Sequence, residues 1–196
     1  MNDAIGDLLA NRRVRAVLPY VRGRLLDVGC GGNKLVRSYT NGVGVDVHPW
    51  PGADLIVDDT STLHWESHSF DTVAIVAALN HIPNRRAVLE ECRRVLRSDG
   101  RVVVTMLRPR VSRVWHWLRK PWDSDQRERG MRPGEVYGFT PTELIELFES
   151  CGFALAAQRR FMLGFNRIYV FRLAGAIQST AERRTDHSCD TTKVAT

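Results

Sequence analysis

No stretch of the 196 residues approaches the run of about 18 apolar residues that a membrane-spanning helix needs. The opening residues, MNDAIGDLLANRR, lack the basic-then-apolar order of a secretory signal, so a cytoplasmic protein is expected. Cysteine is scarce. The four present (Cys30, Cys92, Cys151, Cys189) include no C-x-x-C pair, which disfavours both a zinc site and a disulfide framework. Cys92 and Cys151 fall on apolar helix faces and are expected to fill core. Histidines and carboxylates show no ligand spacing on any one helix, so no metal site is expected. There is no internal repeat and no sign of a second domain. A net charge of +6 and a pI near 9.5 favour anionic partners, whether nucleic acid, a membrane surface or an acidic metabolite, without choosing among them.

What is present is a recurring short apolar run. Arg24-Leu25-Leu26-Asp27-Val28-Gly29 is the first, followed by 43–47, 54–58, 70–76 and 101–106. Continuous rather than alternating apolar residues predict strands covered on both faces. Helical spacing fits between several of them. Ile5, Leu8 and Leu9, then Val14, Val17, Leu18 and Val21, match a helix that Pro19 perturbs. Residues 84–97 place Val88, Leu89, Cys92, Val95 and Leu96 on one face, and Ser98-Asp99-Gly100 reads as the turn into the next strand. Thr140, Pro141 and Glu143 form a capping-box signature ahead of the stripe Leu144, Leu147, Phe148 and Cys151, with Gly152 as the stop. Residues 153–162 and 165–173 read as a terminal strand pair joined near Gly164. Strands alternating with helices indicate an α/β protein with a parallel sheet and right-handed crossovers.

The chemistry concentrates at Asp27-Val28-Gly29-Cys30-Gly31-Gly32-Asn33, a glycine-rich turn at the carboxyl end of the first strand. Ligands of open α/β sheets bind at such strand ends, and glycines admit backbone that a Cβ would hold away. The spacing is not the dinucleotide fingerprint G-x-G-x-x-G, because the third glycine would fall on Lys34; a nicotinamide dehydrogenase is therefore disfavoured. Asp46 lies 19 residues after Asp27 at the end of the second strand, placed to accept both hydroxyls of a ribose. Asp59, past the third strand, is placed to accept from an exocyclic amine. Three carboxylates at successive strand ends suit a cationic ligand better than a polyphosphate.

These segments resemble the class I S-adenosylmethionine-dependent methyltransferases of the type 11 small-domain group. The resemblance rests on LLDVGCGGN, VGVDV, DDTSTLHWESHSFDTV and ALNHIPNRRAVLEECRRVLRSDGRVVV, four motifs in order over about residues 24–106. It implies an α/β, Rossmann-like, doubly wound seven-stranded sheet, mostly parallel with an antiparallel C-terminal strand, over residues 1–173. It implies S-adenosyl-L-methionine as cofactor, with contacts from Asp27, Gly29, Cys30, Gly31, Asp46, Val47, Asp59, Thr60 and Ala77. His81 then borders the acceptor site, as a general base or as a shaper of the pocket. His48, His64 and His68 read as loop residues, and Cys30 as a structural choice rather than a nucleophile. Two departures from the family pattern stand out. Asn33 replaces a glycine, a substitution that left-handed backbone and helix capping both tolerate. Only 12 residues separate Asp46 from Asp58, so the helix after the second strand must be short or absent. His48-Pro49-Trp50-Pro51-Gly52 fills that space, with Trp50 either covering the adenine or packed as a surface aromatic.

Residues 107–139 form an insertion on the substrate side, and 174–196 a polar tail expected to be disordered. Within the insertion, Val111, Val114, Trp115 and Leu118 share a helical face ringed by arginines. That face fits a lid, a peripheral contact with an anionic membrane through 108–122, or plain packing. The expected activity is methyl transfer to a small-molecule, glycan or lipid-linked acceptor. A nucleic-acid methyltransferase is the alternative that the charge suggests. Ala77-Ala78-Leu79-Asn80-His81 lacks the Asn/Asp-Pro-Pro-aromatic motif for stacking a flipped base, which disfavours methylation of a base amine. A third class is a non-catalytic cofactor-binding partner of another protein, against which stand the intact glycines and Asp46.

Overall fold

A computed structural model describes residues 4–107 and 134–175. The insertion face at 108–122 and the tail from residue 176 lie outside the described residues. Helix α1 (Ala4–Val17) runs into a 3-10 turn at Leu18–Tyr20, where Pro19 enters the chain. Then come β1 (Leu25–Val28), α2 (Lys34–Tyr39), β2 (Gly42–Asp46), β3 (Leu55–Ile56), β4 (Phe70–Val76), α3 (Arg85–Val95) and β5 (Leu96–Leu107). Helix α4 (Pro141–Ser150), β6 (Phe153–Phe161) and β7 (Asn166–Leu173) complete the order. The seven strands form one sheet in the order β3-β2-β1-β4-β5-β7-β6. All neighbours are parallel except β7, which runs antiparallel to both β5 and β6.

Side-chain alternation along the strands divides the core between the two faces of the sheet. Leu26, Val28, Val73 and Ile75 meet α3 and α4 through Val88, Leu89, Cys92, Val95, Leu144 and Phe148. Leu25, Ala74, Val103 and Val170 meet α1 and α2 through Val14, Val17, Leu35 and Val36. Apolar burial on both faces is what lets β1 read LLDV without a surface-facing position. Cys92 and Cys151 are buried in the α3/α4 layer, as their helix faces require.

Three expectations change. The third strand is two residues long rather than five, and Leu55 and Ile56 are 39% and 44% exposed. It ends the sheet, and the chain from Asp46 to Leu55 contains turns but no helix to cover it. The helix over 84–97 stops at Val95, because Leu96 is already paired with Phe70 in the sheet. Residues 97–100 are accordingly an irregularity inside β5 rather than a turn before it, and the ladder resumes at Thr72 opposite Arg101.

At Thr140 the capping box forms as the sequence predicts. The Glu143 amide donates to Thr140 Oγ1, and the Thr140 amide donates to Glu143 Oε2 at 2.8 Å. Replacing Thr140 by alanine is expected to cost about 1 kcal/mol of stability. A lowered denaturant midpoint at unchanged slope would register it.

Candidate active site

The glycine turn leaves β1 at Val28 and is anchored to β2. The Gly29 and Cys30 amides both donate to the Val45 carbonyl, at 2.8 and 3.0 Å. Gly29 has φ of +72°, and a Cβ there would lie 2.5 Å from that of Ala78. The glycine is thus required twice, by its backbone angle and by the approach of the loop after β4. Asn33 adopts φ of 58° at the start of α2, the left-handed conformation its residue type tolerates. Its side chain makes no capping bond; it lies buried over Gly44 of β2, in space that a Cβ at 44 would take.

Asp46 closes the turn from the neighbouring strand. One carboxylate oxygen accepts from the Gly31 amide and the other from the His48 amide, both at 2.9 Å. Its side chain borders a cavity of about 240 Å³, together with Gly29, Cys30, Gly31, Val47, Trp50, Thr60, Ala77 and His81. Trp50 lies against His48 with ring centroids 4.4 Å apart. Ala77 holds a left-handed φ of 56°, fixed by its amide donating to the buried Thr105 hydroxyl at 3.0 Å.

A second cavity of about 200 Å³ shares Gly29, Cys30, Val76 and Ala77 with the first and extends towards α1. Asp27, Arg13, Lys34 and Asp7 line it. Asp27 is 2% exposed, and its Oδ1 has no hydrogen-bond partner among the described residues. Burial first, and then the Asp46 charge, push its carboxyl up to about 8. The Arg13 guanidinium is lowered by burial and its Nε is likewise unpartnered. An unsatisfied carboxyl and an unsatisfied guanidinium on one cavity are what the ammonium and carboxylate of a zwitterion would satisfy. Burial and then the Asp27, Asp46 and Asp54 charges push the Cys30 thiol up to about 12, so it holds its proton and is no nucleophile.

Eight of the nine expected cofactor residues therefore line these two cavities. Asp59 is not among the lining residues. It is exposed, and its carboxylate accepts from the Ser61 amide and hydroxyl and from Asn84 Nδ2. Those Ser61 and Asn84 bonds hold it below the usual carboxylate range. His81 stands on the 3-10 turn Leu79–His81 at the cavity wall, with Nδ1 3.4 Å from Glu135 Oε2. Arg13 and Glu135 are not marked by sequence reasoning: each reaches the site from a segment with no motif of its own. Among the described residues no group of three or more His, Cys, Asp or Glu side chains is placed to hold a metal ion.

Residues 26–104 match the family model described as a methyltransferase domain. The match covers less than half of the chain, and within it the chain is similar to that methyltransferase family. The chain is 27% identical over 122 residues to the demethylmenaquinone methyltransferase of Thermotoga maritima, covering 55% of this chain and 53% of that protein. The chain spans about half the length of the curated relatives it matches. Among solved structures, the PH0226 protein of Pyrococcus horikoshii superposes with a TM-score of 0.65 at 20% identity, covering 88% of this chain and 92% of that one. The 1,6-didemethyltoxoflavin-N1-methyltransferase of Burkholderia thailandensis gives 0.63 at 18% identity, covering 87% and 81%. That structure contains 1,6-didemethyltoxoflavin and S-adenosylhomocysteine. At such identities the likeness is one of fold, and it extends to residues of this chain beyond the 26–104 match.

Proposed function

We propose that this domain binds S-adenosylmethionine in the paired cavities and transfers its methyl group to a small-molecule acceptor. The observation that carries the reading is Asp46, its carboxylate held by the glycine turn and bordering the cavity. In this reading the turn's backbone lies along the cofactor and Asp46 accepts the ribose hydroxyls. Val47, Trp50 and Thr60 enclose the adenine. Asp27 and Arg13 take the amino and carboxylate groups of the methionyl end, which satisfies both orphaned atoms. The sulfonium supplies a good leaving group, so the chain's own task is chiefly to align donor with acceptor and to exclude water. In this reading His81, at the wall of the larger cavity, faces the acceptor.

The quinone-directed name of the Thermotoga relative supports an aromatic acceptor, and 1,4-naphthohydroquinone is the first probe to try. Calorimetry is expected to show micromolar binding of S-adenosylmethionine and of S-adenosylhomocysteine. Absence of heat with both would overturn the cofactor assignment. Transfer of a labelled methyl group to glycan or lipid-linked acceptors, with none to the hydroquinone, would redirect the acceptor.

A further inference from the structure

We infer that Glu135 is the positioning residue of His81, holding the ring in the tautomer whose Nε2 takes a proton from the acceptor. The inference rests on the acceptor-side role proposed for His81. Glu135 has a side chain only 1% exposed, and its Oε2 lies 3.4 Å from His81 Nδ1. A carboxylate so buried needs donors, and a ring Nδ1–H supplies one. The pairing is built by backbone rather than left to side-chain chance. The Val136 amide donates to the Asn80 carbonyl at 3.0 Å, tying the segment to the turn that bears His81. Arg85 clamps both sides of that junction. Its Nε donates to the Leu79 carbonyl at 3.1 Å and its Nη2 to the Gly134 carbonyl at 2.7 Å. Gly134 has φ of +90°, and a Cβ there would come within 2.8 Å of Pro83 Cβ, so the segment lies close upon the 79–85 loop. Only then does Glu135 reach the ring.

The consequence is chemical. Which nitrogen of a neutral imidazole carries the proton is set by the partner of the other, and a carboxylate on Nδ1 leaves Nε2 as the basic atom. A methyl acceptor that is already a free nucleophile needs no such group. The arrangement therefore fits a hydroxyl of phenol or enol character. As the O–H bond breaks, its proton passes to Nε2, and the electron pair left on the acceptor forms the bond to the methyl carbon. The carbon–sulfur bond breaks with its pair going to sulfur, giving the neutral thioether. The imidazolium is held by the Glu135 carboxylate until the proton leaves to solvent.

The test needs no acceptor. Nitrogen-15 spectra of the histidine-labelled full chain, at a pH where the ring is neutral, read the tautomer directly. The His81 signals are assigned by their loss in His81→Asn. We expect protonated Nδ1 and unprotonated Nε2 in the parent, and loss of that fixed preference in Glu135→Met. A parent ring protonated on Nε2 overturns the inference, and this result is available even if the variant does not fold. So does a folded Glu135→Met with an unchanged tautomer, its folding shown by unaltered S-adenosylhomocysteine binding. Calorimetry without binding in the parent would remove the cofactor reading instead, so the two failures are distinguishable.

Discussion

Replacing Asp46 by alanine is expected to weaken S-adenosylmethionine binding by about 100-fold or more. Hydrogen bonds to an ionised group are worth roughly 1.5–3 kcal/mol each, and the proposed role gives Asp46 two ribose hydroxyls. Each 1.4 kcal/mol is about tenfold in affinity. The alanine variant also releases the Gly31 and His48 amides, so the glycine turn loses a tether as the ligand loses a partner. Asp46→Asn keeps one acceptor oxygen and should lose less. Titration calorimetry on both variants gives the ordering, and equal affinity in Asp46→Ala and the parent would exclude Asp46 as a ligand group. The thermal midpoint, measured alongside, separates a loosened turn from a lost contact.

The second large effect concerns Asp27 and pH. Its carboxyl, up to about 8 in the folded chain, sits well above the unfolded value near 4. Between those values the folded state holds a proton that the unfolded chain has released, so stability falls as pH rises through that window. Below it the contribution is fully present; above about pH 8 it is lost. Asp27→Asn has no charge to bury and is expected to exceed the parent's thermal midpoint at pH 9 by about 5 °C, and to match it at pH 4. That shift corresponds to roughly 2 kcal/mol for a chain of this length. A cationic amino group beside Asp27 reverses the balance by favouring its ionised form. Binding of S-adenosylmethionine at pH 7 should therefore release a proton, seen as a calorimetric enthalpy that varies with the buffer's own ionisation heat. In Asp27→Asn that dependence should vanish. A parent enthalpy independent of buffer would overturn the assignment of Asp27 to the amino end.

The features legible in the sequence were those confined to one contiguous segment. A buried strand announces itself as LLDV, and the turn after it carries its own glycines. The capping box needs only residues 140–143. Asp46 could be placed because a strand end is a short count from the turn. What escaped was decided by partners distant in the chain. Leu55-Ile56 reads like the other buried runs; the short count from Asp46 to Asp58 announces the missing helix, but the exposure follows from β3 also lying at the sheet edge. Leu96 continues the apolar stripe of α3, and only Phe70 across the sheet takes it into β5. Of the two roles that asparagine tolerates at position 33, the chain uses the left-handed backbone, which carries the side chain over Gly44 and leaves α2 without a side-chain cap. Arg13 comes to the smaller cavity from α1, and Glu135 comes to His81 because Arg85 and Asn80 hold its backbone. Periodicity cannot report a residue whose role is conferred by another segment's geometry.

The position of β7 between β5 and β6 bears on the order of assembly. Seven positions of β5, from Arg101 to Leu107, find their partners about sixty to seventy residues later in the chain. As the polypeptide emerges, β6 appears first and has no edge to join, since its neighbour in the sheet is β7 alone. Until Asn166–Leu173 arrives, the free side of β5 stays open to adventitious pairing. The last described strand thus acts as the keystone of a nearly finished wall, and closing so long a loop makes its insertion the natural slow step of folding.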